Sequence, residues 1–479
     1  MGILENKIKE AFPQSSLVKS KSSAAILSFL ELPSEVKDWL LMKFTKSNGK
    51  IDAYALSSYV ENMRMAREDF NIRLLEARHS KRGTITLLTK IKVEFDYAKD
   101  LILFELPEYD FPAKKGTALA DWSTISEYKQ YLLTPNGAYG EITLCYDYGT
   151  INLQSFKPLC PYTFDLKLYA EGREHFTTEE WIDVLLSSMG YNPNGYSNEI
   201  EKLTMIQRFL PMVEKRVNLI DLGGKGTSKS YCYSQTSSHG WLTSGSGATR
   251  AKMFYDITRH KAGYFSTNDF VALDEVQSIK FKDPLEVGGI LKSYLETGQI
   301  RVGDYSGTGD ASCILLGNIP ESRMDTSINM FSALPKVWRE SALIDRFHGI
   351  IRSWNIPRVH EGLKMEGYAL STDYITEIFH QLREKFYFRV FVDELICVDE
   401  HADTRNTESV KRLATAYLKL LFPHVTSIDD IDKKEFIKYC LAPAYQMRED
   451  ILQQLRILDN EYIDKYMPSI SIDNELCFK

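Results

Sequence analysis

Residues 217–233 read VNLIDLGGKGTSKSYCY. Val217–Leu222 form an apolar run of strand character. A glycine-rich turn follows, Gly223-Gly224-Lys225-Gly226-Thr227-Ser228, and Lys229 and Ser230 then open a helical stretch. This order suits a phosphate group. Small residues let successive backbone N–H groups curl around phosphate oxygens, and a helix start adds partial positive charge. Lys229 is placed to bridge the β- and γ-phosphates of ATP, and the Ser230 hydroxyl to bind Mg²⁺. The pattern GxxxxGK[ST] is met except that Ser228 takes the place of its second glycine, where a Cβ is expected to crowd the turn. Alone, such a stretch can also be an accidental glycine turn.

Its surroundings argue against accident. In NDFVALDEVQSI, Phe270–Leu273 predict a buried strand that delivers Asp274 and Glu275 at its carboxyl end. Asp274 is expected to hold Mg²⁺ through water, and Glu275 to orient or deprotonate an attacking water. The bland alternative is a strand ending in a solvated acidic turn. ASCILLGN is a further apolar strand that ends in Asn318, an amide able to position water near a γ-phosphate. In SALIDRFHGII, Arg346 lies beside Asp345. By itself it would be one half of a local ion pair. In a ring ATPase an arginine here reaches across a subunit interface to charge developing on the neighbour's γ-phosphate. That role requires a homo-oligomer.

The rest of the chain sets bounds. Its 479 residues are 44% hydrophobic and 26% charged, a globular composition that predicts two to four domains. No run of 18 apolar residues exists, so no membrane span is expected. The start, MGILENKIKEAF, has charges within its apolar stretch, which argues against a secretory signal and for the cytoplasm. Seven scattered cysteines without CxxC suggest buried reduced thiols, and their spacing does not support a structural zinc. Net charge is −7, yet residues 1–92 hold 16 Lys/Arg against 10 Asp/Glu. That asymmetry fits either a phosphate-attracting end or an ordinary solvated helical surface.

Periodicity predicts four segments. Residues 1–83 read as a basic helical region, with apolar residues three and four apart in LPSEVKDWLLMKF and SSYVENMRMAREDFNIRLLEARH. Residues 84–168 carry short β-rich runs broken by Gly, Pro, Asp and Asn, as in a small barrel. Residues 169–360 open with a capping-box helix, Thr177 with Glu180, and then alternate strand and helix signals as parallel α/β domains do. Residues 361–479 read as helical and acidic, with 15 Lys/Arg and 22 Asp/Glu.

The order GGKGTSKS, LDEV, LLGN, IDRFH resembles an AAA+ ATPase. The longer stretches TTEEWIDVLLSSMGYNP, EKRVNLIDLGGKGTSKSYCY, FVALDEVQSIKFKDP, ILKSYLETGQIRVG and IDRFHGIIRSWNIP resemble the Lon-related AAA+ proteins of bacterial BREX phage-defence systems, the BrxL family. More widely, the chain is similar to minichromosome maintenance (MCM) helicases, whose phosphate loops often carry Ser or Ala where Ser228 stands. LTSGSGATRAKMF and YLETGQIRVGDYSGTGDASCILLGN resemble MCM segments, the second the hairpin that lines the ring's pore. The resemblance implies an α/β AAA+ P-loop core followed by a helical lid. It implies nucleotide contacts at Gly223, Gly224, Gly226, Thr227, Ser228, Lys229, Ser230 and Asp274. Glu275, Asn318 and Arg346 take catalytic roles. A second sensor falls in ESVKRLATAYLKLL at Lys411 or Arg412, with Arg412 preferred. ATP and Mg²⁺ are the implied cofactors. The implied partners are duplex DNA, further copies of the chain in a hexamer or double hexamer, and other BREX proteins. Arg301 is a possible phosphate contact on the hairpin, whereas Asp304 would repel phosphate. The basic N-terminal region is therefore the expected DNA anchor, with 84–168 OB-like.

A Lon-type protease needs a Ser–Lys dyad in a β-rich domain of its own. Only 119 residues follow residue 360, and no GPSAG-like segment occurs among them, so intrinsic proteolysis is not expected. Three readings stay open. One is an ATP-driven ring on duplex DNA. The second is an unfoldase that grips proteins with aromatics such as Tyr305. The third is an ATP-gated scaffold.

Overall fold

The computed structural model describes residues 2–19, 27, 32–46, 51–80, 83–112, 116–134, 137–147, 149–159, 164–473 and 475–478. The chain divides into two compact units, Ser22–Thr163 on the one hand and Met1–Lys21 with Phe164–Lys479 on the other. The segment 1–83, expected as one region, is thus split. Its first part, helix α1 (Ile3–Ala11) and strand β1 (Ser16–Lys19), belongs to the larger unit.

The smaller unit begins with α2 (Ser34–Phe44), α3 (Ala53–Met63) and α4 (Arg67–His79). The stretch read as one long helix is broken between α3 and α4, where Arg64 and Ala66 are extended. Leu40, Leu56 and Val60 bury a helical core. Strands β2 (Thr84–Asp96), β3 (Leu101–Glu105), β4 (Ala118–Ala120), β5 (Ala138–Asp147) and β6 (Thr150–Pro158) close a barrel in the order β2-β3-β4-β6-β5. Alternation of burial along β2 sends Ile85, Leu87 and Ile91 to its interior with Phe104, Ile142 and Phe156. Residues 22–163 carry 17 Lys/Arg and 18 Asp/Glu, so this unit is near neutral as a folded body. The excess of positive charge in residues 1–92 is offset by the acidic barrel strands.

In the larger unit α5 (Thr178–Ser188) starts with the expected reciprocal cap. The Glu180 N–H donates to Thr177 Oγ1 at 3.2 Å, and the Thr177 N–H donates to Glu180 Oε2 at 3.0 Å. Helix α6 (Glu199–Ile206) ends at a tight turn through Arg208, and Leu210–Val213 add one further helical turn. Next come β7 (Leu219–Gly223), α7 (Lys229–Gln235), β8 (Gly240–Ser244), the two-residue strands β9 (Tyr255–Asp256) and β10 (Lys261–Ala262), and β11 (Phe270–Asp274). Helix α8 (Pro284–Thr297), the hairpin β12 (Gln299–Val302) and β13 (Tyr305–Thr308), β14 (Ser312–Asn318), β15 (Gly349–Arg352) and β16 (Gly367–Leu370) follow. Five strands form one parallel sheet in the order β15-β7-β14-β11-β8. Strands buried on both faces are largely apolar, which is why β11 and β14 read as near-continuous hydrophobic runs and β7 as one interrupted by Asp221.

Beyond the sheet lie α9 (Thr372–Arg383), α10 (Tyr387–Leu395), β17 (Cys397–Val398), α11 (Thr404–Leu421), α12 (Ala442–Leu458), β18 (Ile470–Ile472) and β19 (Glu475–Phe478). The terminal stretch, expected as part of a helical tail, instead pairs β17, β18 and β19 in an antiparallel sheet. Ile470 and Ile472, at alternate positions and both buried, favour that outcome. Cys232, Cys313 and Cys440 are buried, Cys397 is exposed, Cys145 and Cys477 are half-buried, and Cys160 lies outside the described residues. No helix among the described residues is long and apolar enough to cross a membrane.

The N-terminal segment is built into the larger unit. β1 pairs antiparallel with β16, and the Phe12 ring, 3% exposed, sits among Tyr169, Phe176, Trp181 and Tyr374 at centroid distances of 6.2–6.4 Å. Phe12→Ala is expected to cost the larger unit about 3–5 kcal/mol, read as an earlier urea midpoint of Trp181 fluorescence. An unchanged midpoint would detach this segment from the unit's core.

Candidate active site

The turn after β7 is fixed by three backbone demands. A Cβ on Gly223 would stand 2.5 Å from the Ser353 Cβ, so only glycine fits. Gly226 has φ +79°. Ser228 also sits in the left-handed region, at φ 64° and ψ 21°. The crowding expected of its Cβ is thus met by a conformation that costs a non-glycine residue roughly 1–2 kcal/mol. Its hydroxyl shares a hydrogen bond of 2.9 Å with the Tyr191 hydroxyl. The Val359 N–H, donating to the Gly226 carbonyl at 2.8 Å, ties down the far side of the turn.

Beneath the turn lies a buried ion pair that sequence reasoning missed. Arg208 Nε donates to Asp221 Oδ2 at 2.8 Å, and both side chains are fully buried. The same guanidinium donates to the Thr227 carbonyl at 2.5 Å and to Ser353 Oγ at 2.9 Å, and Ser353 in turn donates to Asp221. Burial disfavours the Arg208 charge, but Asp221 and its other neighbours outweigh this and raise its pKa. The signal was present: one Asp inside the apolar strand VNLIDL and one Arg inside the apolar run MIQRFLPM.

Lys229 is buried, and its Nζ donates to the Gly224 carbonyl at 2.6 Å. Its pKa is lowered by burial and by Arg208, with Asp221 and Asp274 acting against the shift. Strand registers place Asn318 beside Gly223 and Asp274 beside Ser244, so the carboxyl ends of β7, β14, β11 and β8 share one sheet edge. Glu275 leaves this edge with φ 51°, and its N–H donates to Asp274 Oδ1 at 2.8 Å. Such strain concentrates at functional positions. Ser230 and Glu275 are exposed. The structure therefore gathers Gly223, Gly224, Gly226, Thr227, Ser228, Lys229, Ser230, Asp274, Glu275 and Asn318 at one edge. The oxygen donors of Ser230 and Asp274 are of the type that Mg²⁺ takes.

Arg346 and Arg412 are elsewhere. Arg346 precedes β15, whose first residue pairs with Leu219 at the amino end of β7. It donates to Glu296 Oε2 at 3.0 and 2.6 Å and to the Ala342 carbonyl. Asp345, its expected local partner, binds Arg405 and Arg448 instead. Arg412 donates to the Lys215 carbonyl at 3.0 Å. It lines an open cavity of about 650 Å³ together with Arg346, Glu296, Arg405 and His348. Lys411 is paired with Asp393, so Arg412 is the residue of the two that faces the cavity. Arg412 thus lies with Lys215, on the amino side of β7, whereas the phosphate loop follows the carboxyl end of that strand.

Arg301 is exposed on the β12–β13 hairpin and donates to Gln299 at 3.2 Å. Gly303, φ +57°, opens the two-residue turn that it shares with the exposed Asp304. Tyr305 stacks on Tyr255 of β9 with ring centroids 3.6 Å apart at 3°. Two hairpins are thus locked together, one carrying Arg301 and the other the exposed Arg259 and Lys261.

Residues 151–468 match the family model described as Lon-like protease BrxL-like, ATPase domain, and residues 10–146 match BREX system Lon protease-like protein BrxL N-terminal. The chain is an ATPase-domain protein of the Lon-related class. It belongs to the BrxL family of BREX systems. It is 28% identical over 466 residues to the Lon-like protease BrxL of Escherichia coli O9:H4 (strain HS), covering 92% of this chain and 65% of that protein. To the Lon-like protease BrxL of Bacillus cereus (strain H3081.97) it is 27% identical over 451 residues, covering 91% of this chain and 65% of that protein. The chain thus spans about two thirds of the length of each relative.

Asp221→Asn is expected to destabilise the larger unit by about 3–5 kcal/mol in urea unfolding, because it leaves the Arg208 charge buried and unpaired. Arg208→Met with Asp221→Leu should recover part of that loss; a single variant as stable as the parent would contradict the account.

Stability should also fall in mild acid. Burial, then Arg412, Arg448 and Arg216, hold His348 well below the usual 6.5, and burial with Arg173 lowers His424 to about 4. Both are neutral in the fold and take up protons near 6.5 once unfolded. Their contribution is complete above that value and is lost as pH falls below it, by up to about 1.4 kcal/mol per unit for each group. A thermal midpoint unchanged between about pH 7.5 and 5 would be inconsistent with this.

Proposed function

We propose that the chain is an ATP-hydrolysing AAA+ subunit of a homo-oligomeric ring, a hexamer or a doubled one, that acts on duplex DNA in BREX antiviral defence in an MCM-like manner. One observation carries the reading. Arg346 and Arg412 lie toward the amino edge of the sheet, and the phosphate loop lies at its carboxyl edge. A strand of five residues rises about 3.3 Å per residue, so these arginines are a strand length from their own loop. They suit the loop of an adjacent copy. The strand order, with the Asn318 strand between those of Lys229 and Asp274, supports the same class.

In this reading ATP supplies the phosphoanhydride bond, and Mg²⁺ neutralises its charge. Lys229 and the Gly223–Ser228 turn bind the phosphates, while Ser230 and Asp274 hold the cation. Glu275, fixed by its strained backbone, takes a proton from water, and Asn318 orients that water. Arg346, released from Glu296, and Arg412 stabilise charge on the neighbour's nucleotide. Arg259, Lys261 and Arg301 on the paired hairpins offer phosphate contacts to DNA. The near-neutral smaller unit is a weaker anchor than its N-terminal charge suggested. These residues are assigned no proteolysis of their own.

That neutrality, with Asp304 at the hairpin tip, favours a second reading, the remodelling of proteins. The packing of Tyr305 against Tyr255 weighs against it, because one aromatic face is already covered.

Lys229→Ala and Arg346→Ala are each expected to lower ATP hydrolysis at least about 100-fold. Arg346→Ala should still bind nucleotide, and an equal mixture of the two variants should regain activity by pairing an intact loop with an intact arginine. No recovery, with both variants shown to share rings, removes the action in trans. Arg259→Ala with Arg301→Ala should weaken duplex DNA binding and flatten its salt dependence by about two counterions per engaged subunit. Hydrolysis indifferent to DNA but stimulated by an unfolded protein would favour the second reading.

A further inference from the structure

We propose that His239, Asp269 and His380 form a binding site for a divalent transition-metal ion of the zinc class, which clamps α9 onto the amino edge of the parallel sheet. Each residue offers one donor atom, and these atoms all lie within 4.8 Å of one another. His239 sits in the turn before β8, Asp269 directly before β11, and His380 on α9. This is the sheet edge opposite the phosphate loop, so the site is distinct from the proposed nucleotide chemistry.

The fold brings the donors together. The Asp269 N–H donates to the His239 carbonyl at 2.8 Å, which joins the two turns. His380 Nδ1 lies 2.7 Å from Asp269 Oδ2, a hydrogen bond that an ion would open to the roughly 3.3 Å between two tetrahedral ligands. The imidazoles of His239 and His380 are stacked, 4.0 Å apart at 6°, so one ring must turn for both in-plane lone pairs to reach one ion. Orienting groups surround them, as around most metal-bound imidazoles. Glu377, one turn from His380 on the same helix face, bonds His239 Nε2 at 2.7 Å. Arg383 Nε holds the other Asp269 oxygen at 3.3 Å. Its Nη groups are fixed on the carbonyls of Pro211, Glu214 and Asp310. The Asp269 and His239 side chains are only 13% and 15% exposed.

Two imidazoles and a carboxylate form a borderline-soft set. It suits Zn²⁺, and Co²⁺ as its spectroscopic substitute, with a further position open to water; Mg²⁺ and Ca²⁺ prefer oxygen alone. The ion replaces the contact between His380 and Asp269 with two bonds to itself and draws in His239. Residues 239, 269 and 380 are too far apart in sequence for any ligand spacing to announce them.

The test uses the whole chain, stripped with chelator and dialysed against Zn²⁺ or Co²⁺ alone. One equivalent per chain should bind, Co²⁺ should show d–d absorption of a nitrogen–oxygen site, and Zn²⁺ should raise the thermal midpoint. His239→Gln with His380→Gln should lose affinity at least tenfold and lose the Zn²⁺-dependent rise, while its circular dichroism and nucleotide binding match the parent. His380→Gln alone, at an exposed position, guards against a misfolded double variant and should show the same loss. Failure of the parent to bind either ion, or equal binding and equal Zn²⁺ response in parent and variants, overturns the site and leaves two ordinary histidine–carboxylate pairs.

Discussion

The buried pair of Arg208 and Asp221 is the constraint on which the candidate site depends. An unpaired charge inside the sheet would be costly, so the two groups must meet, and the remaining donors of Arg208 must find acceptors. They find the Thr227 carbonyl and the Ser353 hydroxyl. The guanidinium therefore fixes the middle of the glycine-rich turn relative to β7 and to the residue that follows β15. Gly223 can approach Ser353 only because it lacks a Cβ. The shape of the turn is thereby coupled to the core rather than left to loop propensity.

From that anchor the sheet separates two sets of groups. Its carboxyl edge carries the lysine, hydroxyl, carboxylates and amide of the proposed nucleotide site. Toward the amino edge lie Arg346 and Arg412, around a cavity of mixed charge in which Glu296 neutralises Arg346. A strand is rigid and cannot fold back on itself, so no side-chain rotation brings the two sets together within one chain. In the proposed ring each amino edge meets the next carboxyl edge, which would resolve this. The strained backbone of Glu275 and the left-handed Ser228 are both at the carboxyl edge, where stored strain is most useful.

Much of this was legible in the sequence for a physical reason. Parallel strands buried on both faces are largely apolar, so β7, β11 and β14 announced themselves, and their polar terminal residues marked the edge that matters. Thr177 with Glu180 marked the start of α5 equally clearly. Non-local pairing was not legible. Nothing in residues 16–19 says that they pair with residues 367–370. The break between α3 and α4, and the terminal strands β18 and β19, were decided by packing that local periodicity does not encode. The N-terminal charge excess does not carry through to the net charge of the smaller unit, since the fold joins those residues to the more acidic barrel stretch. Single charged residues inside apolar runs, Asp221 and Arg208, were visible but were passed over.

The central claim is that one chain's site is completed by another's arginine. It is tested most directly by measuring hydrolysis per chain across a dilution series while the mass distribution is recorded in the same samples. The account predicts that hydrolysis per chain tracks the ring fraction and vanishes with it on dilution to monomers. Constant hydrolysis per chain in a population that contains only monomers would contradict it.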